Sequence, residues 1–287
     1  MATLSSVCSA TPINSPMGVS LLEALQFAET AKLAANRRSI YVKELRRCVS
    51  DFIHHVGNIQ VDKVSPESVE SWLATKTSNP WSRATNISRV STLFEFAKRR
   101  RWAMMNPCDF IERVSIERGI PSTLTPDEAT KLMAHCLSLR PQMLAWLSLM
   151  MFAGLRPTEA RKMRWECIDF SKRRITVSAE MSKVRRSRIV EPPEACWRWL
   201  AVGADFRARL PVSLMSVRRF HKAMRGVMGW DAWKVDVLRH TCASMWLVLV
   251  PDPGRIAMQL GNSASVLMRH YYSIQTREDA EKFWAIS

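Results

Sequence analysis

The chain has 287 residues, 47% of them hydrophobic, so it is long enough to bury one large core or two smaller ones. Its 42 Lys and Arg against 26 Asp and Glu give a net charge of +16, divided as +5 before Pro121 and +11 after it. Because both halves are basic, the sequence is not a neutral domain with a basic tail. The balance favours a polyanion partner over the alternative of a merely basic protein.

Cysteine usage and the apolar runs exclude several other classes. The seven cysteines are scattered and form no CxxC motif, so we expect no metal site, no disulfide framework and a reducing cytoplasmic location. Residues 1–18 lack the pattern of a secretion signal. The longest apolar run, residues 143–153, is too short to span a bilayer and indicates a buried helix. We therefore expect no membrane partner.

The first part of the chain is predicted to be a flexible arm, residues 1–18, followed by an all-helical domain over residues 19–113. Apolar periodicity predicts helices over residues 21–34 and 39–56. Ser65-Pro66-Glu67 predicts the start of a third helix, with Ser as the N-cap and Pro at the first helical position. A fourth helix is predicted from about Ser82 to Arg101.

A run of four cations ends this fourth helix: Lys98, Arg99, Arg100 and Arg101. Cations at a helix C-terminus interact favourably with its dipole, so a solvated helix end is one interpretation. The high net charge favours the other interpretation, in which the four residues bind DNA phosphates.

The second part of the chain is predicted to be an α+β domain, so that the whole is mainly α with a small β-sheet. Residues 114–124, with Gly and Pro, indicate a linker. A capping box from Thr125 to Glu128 then opens a helix, and the domain runs over residues 125–287. Alternating residues 174–179 and the segment 188–190 predict a pair of strands, and the chain from residue 211 onward is mostly helical.

Two arginine segments in this domain suit an anion site. Pro157 is a good first helical residue, so Arg156 should lie at a helix start beside free backbone N–H groups. The alternative for Arg156 is an ion pair with Glu159. Arg239 and His240 precede a strongly apolar stretch, and a structural ion pair is the alternative there.

Tyr271 is one of only three tyrosines in the chain. A tyrosine with the usual pKa of about 10 is a poor nucleophile, but nearby arginines favour the phenolate and would activate it. Core or interface packing of Tyr271 and Tyr272 is the alternative interpretation.

Together, these segments resemble the catalytic domain of the tyrosine recombinases, a family that includes the phage integrases. The family's first box, G-L-R-x-x-E, is matched by Gly154, Leu155, Arg156 and Glu159. Its second box, H-x-L-R-H-(T/S), is matched by Leu238, Arg239, His240 and Thr241. Its third, L-G-H followed nine residues later by tyrosine, is matched by Leu260, Gly261 and, counting nine from Asn262, Tyr271. The hairpin lysine of the family is matched by Lys183. The motifs cover residues 122–287, and residues 19–113 resemble the family's helical core-binding domain loosely.

The resemblance implies a mechanism without metal, cofactor or ATP. Arg156 and Arg239 would clamp the non-bridging oxygens of a DNA phosphate, and Lys183 would protonate the leaving 5′ oxygen. Tyr271 would form a 3′-phosphotyrosyl link that conserves the phosphodiester. The first partner implied is double-stranded DNA. The second is the chain itself, which would be a monomer when free and would assemble into a homo-tetramer on paired DNA sites. We also expect Arg185 and Arg186 to bind DNA.

Two positions depart from the family pattern. Asp236 stands where the second box usually begins with histidine, and Asn262 stands where the third box usually has His or Trp. An aspartate can still accept a proton from Tyr271, whereas asparagine can only hydrogen-bond, so we count both as candidate catalytic residues. The departures leave open an inactive DNA-binding relative. A type IB topoisomerase-like enzyme and a helical DNA-binding regulator are the further alternatives.

The end of the chain predicts one more helix. Thr276 with Asp279 three residues later indicates an N-cap, and the helix that follows presents Phe283 and Trp284. So short and apolar a helix needs a partner surface. It can fold onto its own domain, but the resemblance leads us to expect that Phe283 and Trp284 bury in a groove of a neighbouring protomer.

Overall fold

Helices dominate the structure, a computed structural model that describes residues 18–76, 79–116, 121–182, 185–271 and 275–287. Within these ranges the only sheet has three short antiparallel strands. The predicted fold class, mainly α with a small sheet, is therefore confirmed. Contacts divide the chain into two units, Met1–Arg118 and Gly119–Ser287, and each unit has its own hydrophobic core.

The first unit is built from four helices, α1 (Leu21–Ala34), α2 (Ser39–Val56), α3 (Pro66–Ala74) and α4 (Pro80–Arg99). Each predicted helix is present, and the fourth begins two residues earlier than expected because Asn79 caps it. The side chain of Asn79 accepts hydrogen bonds from the backbone N–H groups of Trp81 and Ser82. The N-cap role predicted for Ser65 is confirmed, since its hydroxyl accepts from the N–H of Ser68.

Aromatic rings from three of these helices fill the core of the first unit. Phe52 packs edge-on against both Trp72 and Phe94, with ring centroids 5.3 and 6.4 Å apart. The Trp72 indole donates to the carboxylate of Asp51 over 2.9 Å, so its one polar atom is satisfied. This core fixes the direction of α4, which ends in the predicted cation run.

The second unit begins with α5 (Pro126–Leu139), the fully buried α6 (Leu144–Met151) and the short α7 (Pro157–Lys162). The strands follow: β1 (Ile168–Asp169), β2 (Arg174–Val177) and β3 (Arg188–Val190). The order is β1-β2-β3, and Ile175 pairs with Val190. The predicted strand pair, β2 and β3, is thus confirmed. The sequence did not predict β1, because two residues are too few to show the alternation of apolar and polar side chains that is typical of a strand.

Six helices complete the unit: α8 (Glu194–Asp205), α9 (Leu214–Met228), α10 (Val237–Leu249), α11 (Pro253–Leu260), α12 (Ala264–Tyr271) and α13 (Arg277–Ala285). Leu124, predicted to lie in the linker, is buried in this unit, and its N–H donates to the hydroxyl of Thr241 over 2.8 Å. No helix among the described residues has the length and apolar character of a bilayer span.

The terminal helix α13 packs on its own unit. Phe283 is fully buried with its ring 5.2 Å from that of Phe152, and the Trp284 indole donates to the Met245 carbonyl over 3.2 Å. In the single chain, Phe283 and Trp284 thus bury in their own unit, which is the alternative considered for this helix; docking in trans within a DNA-bound tetramer stays a prediction. The physical reason is that α6 and α10 offer an apolar surface within reach, so no second chain is needed to cover these rings.

Candidate active site

A tight turn after α6 brings the first arginine to the surface of the core. Gly154 has a φ of +61°, and a Cβ there would lie 2.3 Å from the Leu260 side chain, so both conformation and space require glycine. The turn places Arg156 at the N-cap of α7, as the sequence predicts. The backbone N–H of Arg156 donates to Oε2 of Glu159 over 3.0 Å and so anchors the start of the helix.

Glu159 is fully buried and binds two arginines. Arg156 Nη1 donates to its Oε1 over 3.1 Å, and Arg188 on β3 donates to both oxygens over 3.1 and 2.7 Å. Burial opposes ionisation of Glu159, but the hydrogen bonds and charge of Arg188, helped by Arg156, outweigh it and lower the carboxyl pKa. The ion pair considered as the alternative for Arg156 is therefore present, and it also positions the arginine.

Arg188 is a site residue that the sequence analysis missed. Its Nε donates to the Gln259 carbonyl over 2.8 Å, which ties β3 to α11. In the sequence it is one polar residue of a short alternating strand, and alternation only predicts which face a side chain takes. The signal that was available is Glu159, because a carboxylate buried after a glycine turn needs cationic partners.

Arg239 reaches the same place from α10. It is 4% exposed; Nη1 donates to the Gly154 carbonyl and Nη2 to the Leu260 carbonyl over 2.8 Å. Burial, with the neighbouring charges of Arg156 and Arg188, lowers its pKa to about 10, so it remains a cation at neutral pH.

Asn262 joins the two predicted clamp arginines. Its Oδ1 accepts from Arg156 Nη2 over 2.8 Å and from Arg239 Nη2 over 3.0 Å. Gly261, with a φ of +65°, makes this approach possible, because a Cβ there would lie 3.2 Å from both Arg156 and Arg188. One oxygen therefore receives a hydrogen bond from each of two guanidinium groups, which is the kind of contact that a phosphate oxygen would need.

Tyr271 is the last residue of α12 and is 6% exposed. Its hydroxyl lies 2.7 Å from Nδ1 of His240. Burial raises its pKa, and the charge of Asp236 adds to the rise, while Arg239 and Arg156 act in the opposite direction. The expectation that arginines make Tyr271 an easily ionised phenol is therefore wrong for this structure, because loss of hydration outweighs their attraction.

Asp236, which the sequence made a candidate proton acceptor, makes no hydrogen bond to the tyrosine. It is the N-cap of α10 with a φ of 52°, and its side chain makes no capping hydrogen bond. Its carboxylate forms no hydrogen bond to any described residue, and its charge raises the pKa of Tyr271. The residue within hydrogen-bond distance of the Tyr271 hydroxyl is instead His240, four residues further along the chain. His240 could not be assigned a role from the sequence, because the second box alone does not show which way its side chain points.

One of the predicted hairpin residues, Arg186, lines a surface cavity. Lys183 lies outside the described residues. Arg186 is exposed and lines a cavity of about 840 Å³ together with Arg156, Arg188 and Asn262. Arg185 is exposed and has a φ of 54°, typical of a turn. The cavity is thus bordered by three arginines, which suits a polyanion.

Two of the four cations at the end of α4 have partners within the first unit. The Lys98 ammonium pairs with Glu95 over 3.2 Å and Asp109 over 3.7 Å, so its charge is largely neutralised within the unit. The Arg100 guanidinium lies 5.3 Å from the centre of the Phe96 ring. Arg99 and Arg101, like Arg100, are exposed. The described residues contain no cluster of three or more His, Cys, Asp or Glu side chains that would hold a metal ion.

Comparisons with known proteins show the family of the second unit. Residues 122–278 match the model of the phage integrase family. A tyrosine recombinase of Thermosipho africanus is 28% identical over 176 residues, which cover 58% of this chain and 60% of the relative. The match thus spans less than two thirds of that curated relative.

Solved structures share the fold. A lambda integrase dimer bound to a COC′ core site has a TM-score of 0.73 at 16% identity, covering 92% of this chain and 81% of the other. A lambda integrase tetramer bound to a Holliday junction has a TM-score of 0.72 at 18% identity, covering 89% and 79%. At these identities the likeness shows the fold.

Proposed function

The chain belongs to the phage integrase family, and from this we propose that it is a site-specific DNA recombinase that acts through a 3′-phosphotyrosyl intermediate on Tyr271. The observation that carries the proposal is the shared contact of Arg156 and Arg239 with one oxygen of Asn262. Two arginines that converge on one oxygen are suited to hold a phosphodiester.

In the proposed cleavage step, a non-bridging phosphate oxygen accepts hydrogen bonds from Arg156 and Arg239. The Tyr271 oxygen attacks phosphorus, its bond to phosphorus forms, and the bond to the 5′ oxygen breaks. We propose that Lys183 donates a proton to the leaving 5′ oxygen. The arginine charges stabilise the phosphorane-like transition state, and the new ester conserves the energy of the old one, so rejoining needs no ATP.

Asn262 has two roles in this proposal. In the free protein its carbonyl oxygen holds the two guanidinium groups at a fixed separation, so that the clamp is formed before DNA arrives. When phosphate enters, its amide nitrogen can donate to a phosphate oxygen. An amide supplies no proton to the reaction, so we assign Asn262 to binding and positioning.

The proposed partners are double-stranded DNA and further copies of the chain. The net charge of +16, shared by both halves, supports DNA contact by both units, with 19–113 as the core-binding domain, 114–124 as the linker and 125–287 as the catalytic domain. Arg99, Arg100, Arg101, Arg185 and Arg186 are the exposed residues that we propose for phosphate contacts. We propose a tetramer on paired sites, by analogy with the tetrameric neighbour bound to a Holliday junction.

An assay on nicked duplex DNA tests the proposal. The nick lies a few nucleotides beyond the scissile phosphate, so cleavage releases a short fragment that carries the free 5′ hydroxyl. Once this fragment diffuses away, rejoining is impossible, and the covalent protein–DNA adduct accumulates and is seen on a denaturing gel. Wild type should form the adduct and Tyr271→Phe should not, although it binds the DNA equally well. Tyr272→Phe, at a position outside the described residues, is the control and should remain active.

An inactive DNA-binding relative is the second candidate, and the substitution of histidine by Asp236 is the observation that favours it. Such a protein would bind the DNA site but form no covalent adduct, even as the wild type with all its tyrosines present. A type IB topoisomerase-like enzyme would form the adduct and relax supercoils without producing recombinant joints between two sites. The three outcomes are therefore separated by the adduct gel and a joint-formation assay on the same DNA.

A further inference from the structure

Cleavage by a tyrosine needs a group that takes the phenolic proton. We propose that His240 is the base that receives this proton from Tyr271 when the phenolic oxygen attacks phosphorus. The inference rests on the proposed function of Tyr271 as the nucleophile, and it assigns a catalytic residue that the family's motif at position 236 does not supply in this chain.

The first argument is geometric. Nδ1 of His240 and Oη of Tyr271 are 2.7 Å apart, and the two ring centroids are separated by 5.5 Å. A general base must lie within hydrogen-bond reach of the proton it removes, about 2.6–3.2 Å between heavy atoms. His240 satisfies this condition in the free protein, before any DNA has organised the site.

The second argument is the failure of the alternative base. Asp236 occupies the position at which the second box usually begins with histidine, yet its carboxylate bonds to no described residue and raises the pKa of Tyr271 by its charge. Asp236 is the N-cap of α10, with a left-handed backbone, whereas His240 lies within the helix. Of these two residues, His240 is the one with a ring nitrogen at hydrogen-bond distance from the Tyr271 hydroxyl.

The third argument is the state of the tyrosine. Tyr271 is 6% exposed, so little of the residue meets bulk water. Burial raises the pKa of Tyr271, and Asp236 adds to this, against Arg239 and Arg156. A phenol that remains protonated at neutral pH needs a base in contact with it during attack. A histidine, with an ordinary pKa near 6.5, accepts protons more readily than a carboxylate with a pKa near 4.

The proton balance of the step is simple. Neutral His240, protonated on Nε2, offers the lone pair of Nδ1 to the phenolic O–H. As the oxygen–phosphorus bond forms, the proton moves to Nδ1 and His240 becomes an imidazolium. The bond from phosphorus to the 5′ oxygen breaks, and that oxygen takes a proton from a separate acid, for which we proposed Lys183. In the rejoining step, the imidazolium returns its proton to the departing phenolic oxygen.

Two substitutions at His240 test the proposal by the rate of adduct formation on nicked DNA at neutral pH. His240→Ala should lower the rate by about 10²- to 10⁴-fold, the usual contribution of a general base. His240→Asn keeps a polar group close to the position of Nδ1 and lacks the basicity, so it should be similarly slow. Added imidazole should restore part of the rate to the alanine variant. A wild-type rate in His240→Asn would reduce the residue to positioning and overturn the proposal.

A matched control comes from the same unit. His135 on α5 binds the Lys131 carbonyl through Nδ1 and has no place in the proposed site. His135→Ala should therefore cleave at the wild-type rate. Equal losses in His135→Ala and His240→Ala would show a general effect of removing an imidazole and would also overturn the assignment.

A modified substrate separates a base from a leaving-group acid. When sulfur replaces the bridging 5′ oxygen, the leaving thiolate needs no proton, because a thiol has a pKa of only about 8.5. A defect in the base persists with this substrate, whereas a defect in the acid disappears. His240→Ala should remain slow on the sulfur-bridged DNA. Full rescue would make His240 the acid and contradict the proposal.

A last measurement is independent of recombination. In ¹⁵N NMR spectra of the free full-length protein, Tyr271→Phe should shift the Nδ1 resonance of His240 and leave that of His135 in place. No shift at His240 would remove the contact and the proposal with it. If the shift is present but the wild-type protein forms no adduct on its site, the proposed function has failed and the base role falls with it. If wild type forms the adduct and His240→Asn is equally fast, only the base role has failed.

Discussion

The buried carboxylate of Glu159 predicts a large cost for removing Arg188. Glu159 has no solvent exposure, and Arg188, with its side chain 10% exposed, donates two hydrogen bonds to it. In Arg188→Ala the carboxylate retains only the backbone N–H and one guanidinium nitrogen of Arg156. The variant therefore leaves a buried charge that is only partly compensated.

The size of the loss follows from the geometry. Removing one partner of a buried ion pair costs about 3–5 kcal/mol, and the remaining bonds to Arg156 place this case at the lower end, about 3 kcal/mol. In a unit of this size, each 1 kcal/mol lowers Tm by about 2–4 °C, so the expected fall is about 6–12 °C.

Calorimetry or denaturant unfolding of wild type and Arg188→Ala measures this loss, with Arg174→Ala as the control. Arg174 pairs with Glu191 in the neighbouring strand, and the two side chains are 51% and 47% exposed. Exposed pairs of this kind contribute about 0–1 kcal/mol, so the control should lose little. Equal losses in the two variants, or a loss below about 1 kcal/mol in Arg188→Ala, would refute the reasoning.

The same comparison has a pH signature. The folded-state pKa of Glu159 is lowered, so the stabilisation it provides is present above its unfolded pKa, near 4.3, and is lost as pH falls through the folded value. The difference in unfolding free energy between wild type and Arg188→Ala should therefore be full at pH 7 and shrink below about pH 4. A difference that is constant from pH 7 to pH 3 would contradict the assignment.

Three further predictions concern the clamp, the terminal helix and metal. Arg156→Ala and Arg239→Ala should each lower adduct formation at least about a hundredfold, and a near-normal rate in either would remove that arginine from the clamp. Phe283→Ala should lower the unfolding free energy of the monomer by about 3–5 kcal/mol, because it removes a fully buried ring. The control Lys282→Ala, in an exposed ion pair, should lower it by less than about 1 kcal/mol. Equal small losses in the two variants would contradict the packing of α13. EDTA should leave adduct formation unchanged, and strict dependence on a divalent cation would indicate a different class of phosphoryl transfer.

The sequence was most informative where the signal is local. Capping residues and apolar periodicity predicted the helices of the first unit, and Gly154 with Pro157 predicted the helix start that presents Arg156. The order of the four motifs then indicated the family. Each motif combines a residue that carries chemistry, such as an arginine, with neighbours that fix the backbone, such as a glycine, at a set spacing.

Long-range contacts could not be predicted in this way. Arg188 meets Glu159 across 29 residues, and a strand of three residues contains no information about that partner. The pKa of Tyr271 depends on burial created by the whole unit, so counting nearby arginines gave the wrong direction. The terminal helix was predicted correctly as a helix, but its apolar face does not say whether the covering surface belongs to the same chain.

His240 shows the same limit within a single motif. The second box gives only the order of Asp236, Arg239 and His240 along the chain, and the packing of α12 against α10 determines which of them meets Tyr271.

The central claim is that Tyr271 becomes covalently joined to DNA, and the most direct test is to map the adduct by mass spectrometry. Trypsin cleavage after Arg269 and Arg277 gives one peptide that contains both Tyr271 and Tyr272, so fragmentation must assign the modified residue. We expect a nucleotide attached through its 3′ phosphate to Tyr271, and the same result in Tyr272→Phe. A nucleotide on Tyr272 or on any other residue, or a 5′-phosphate linkage, would contradict the account.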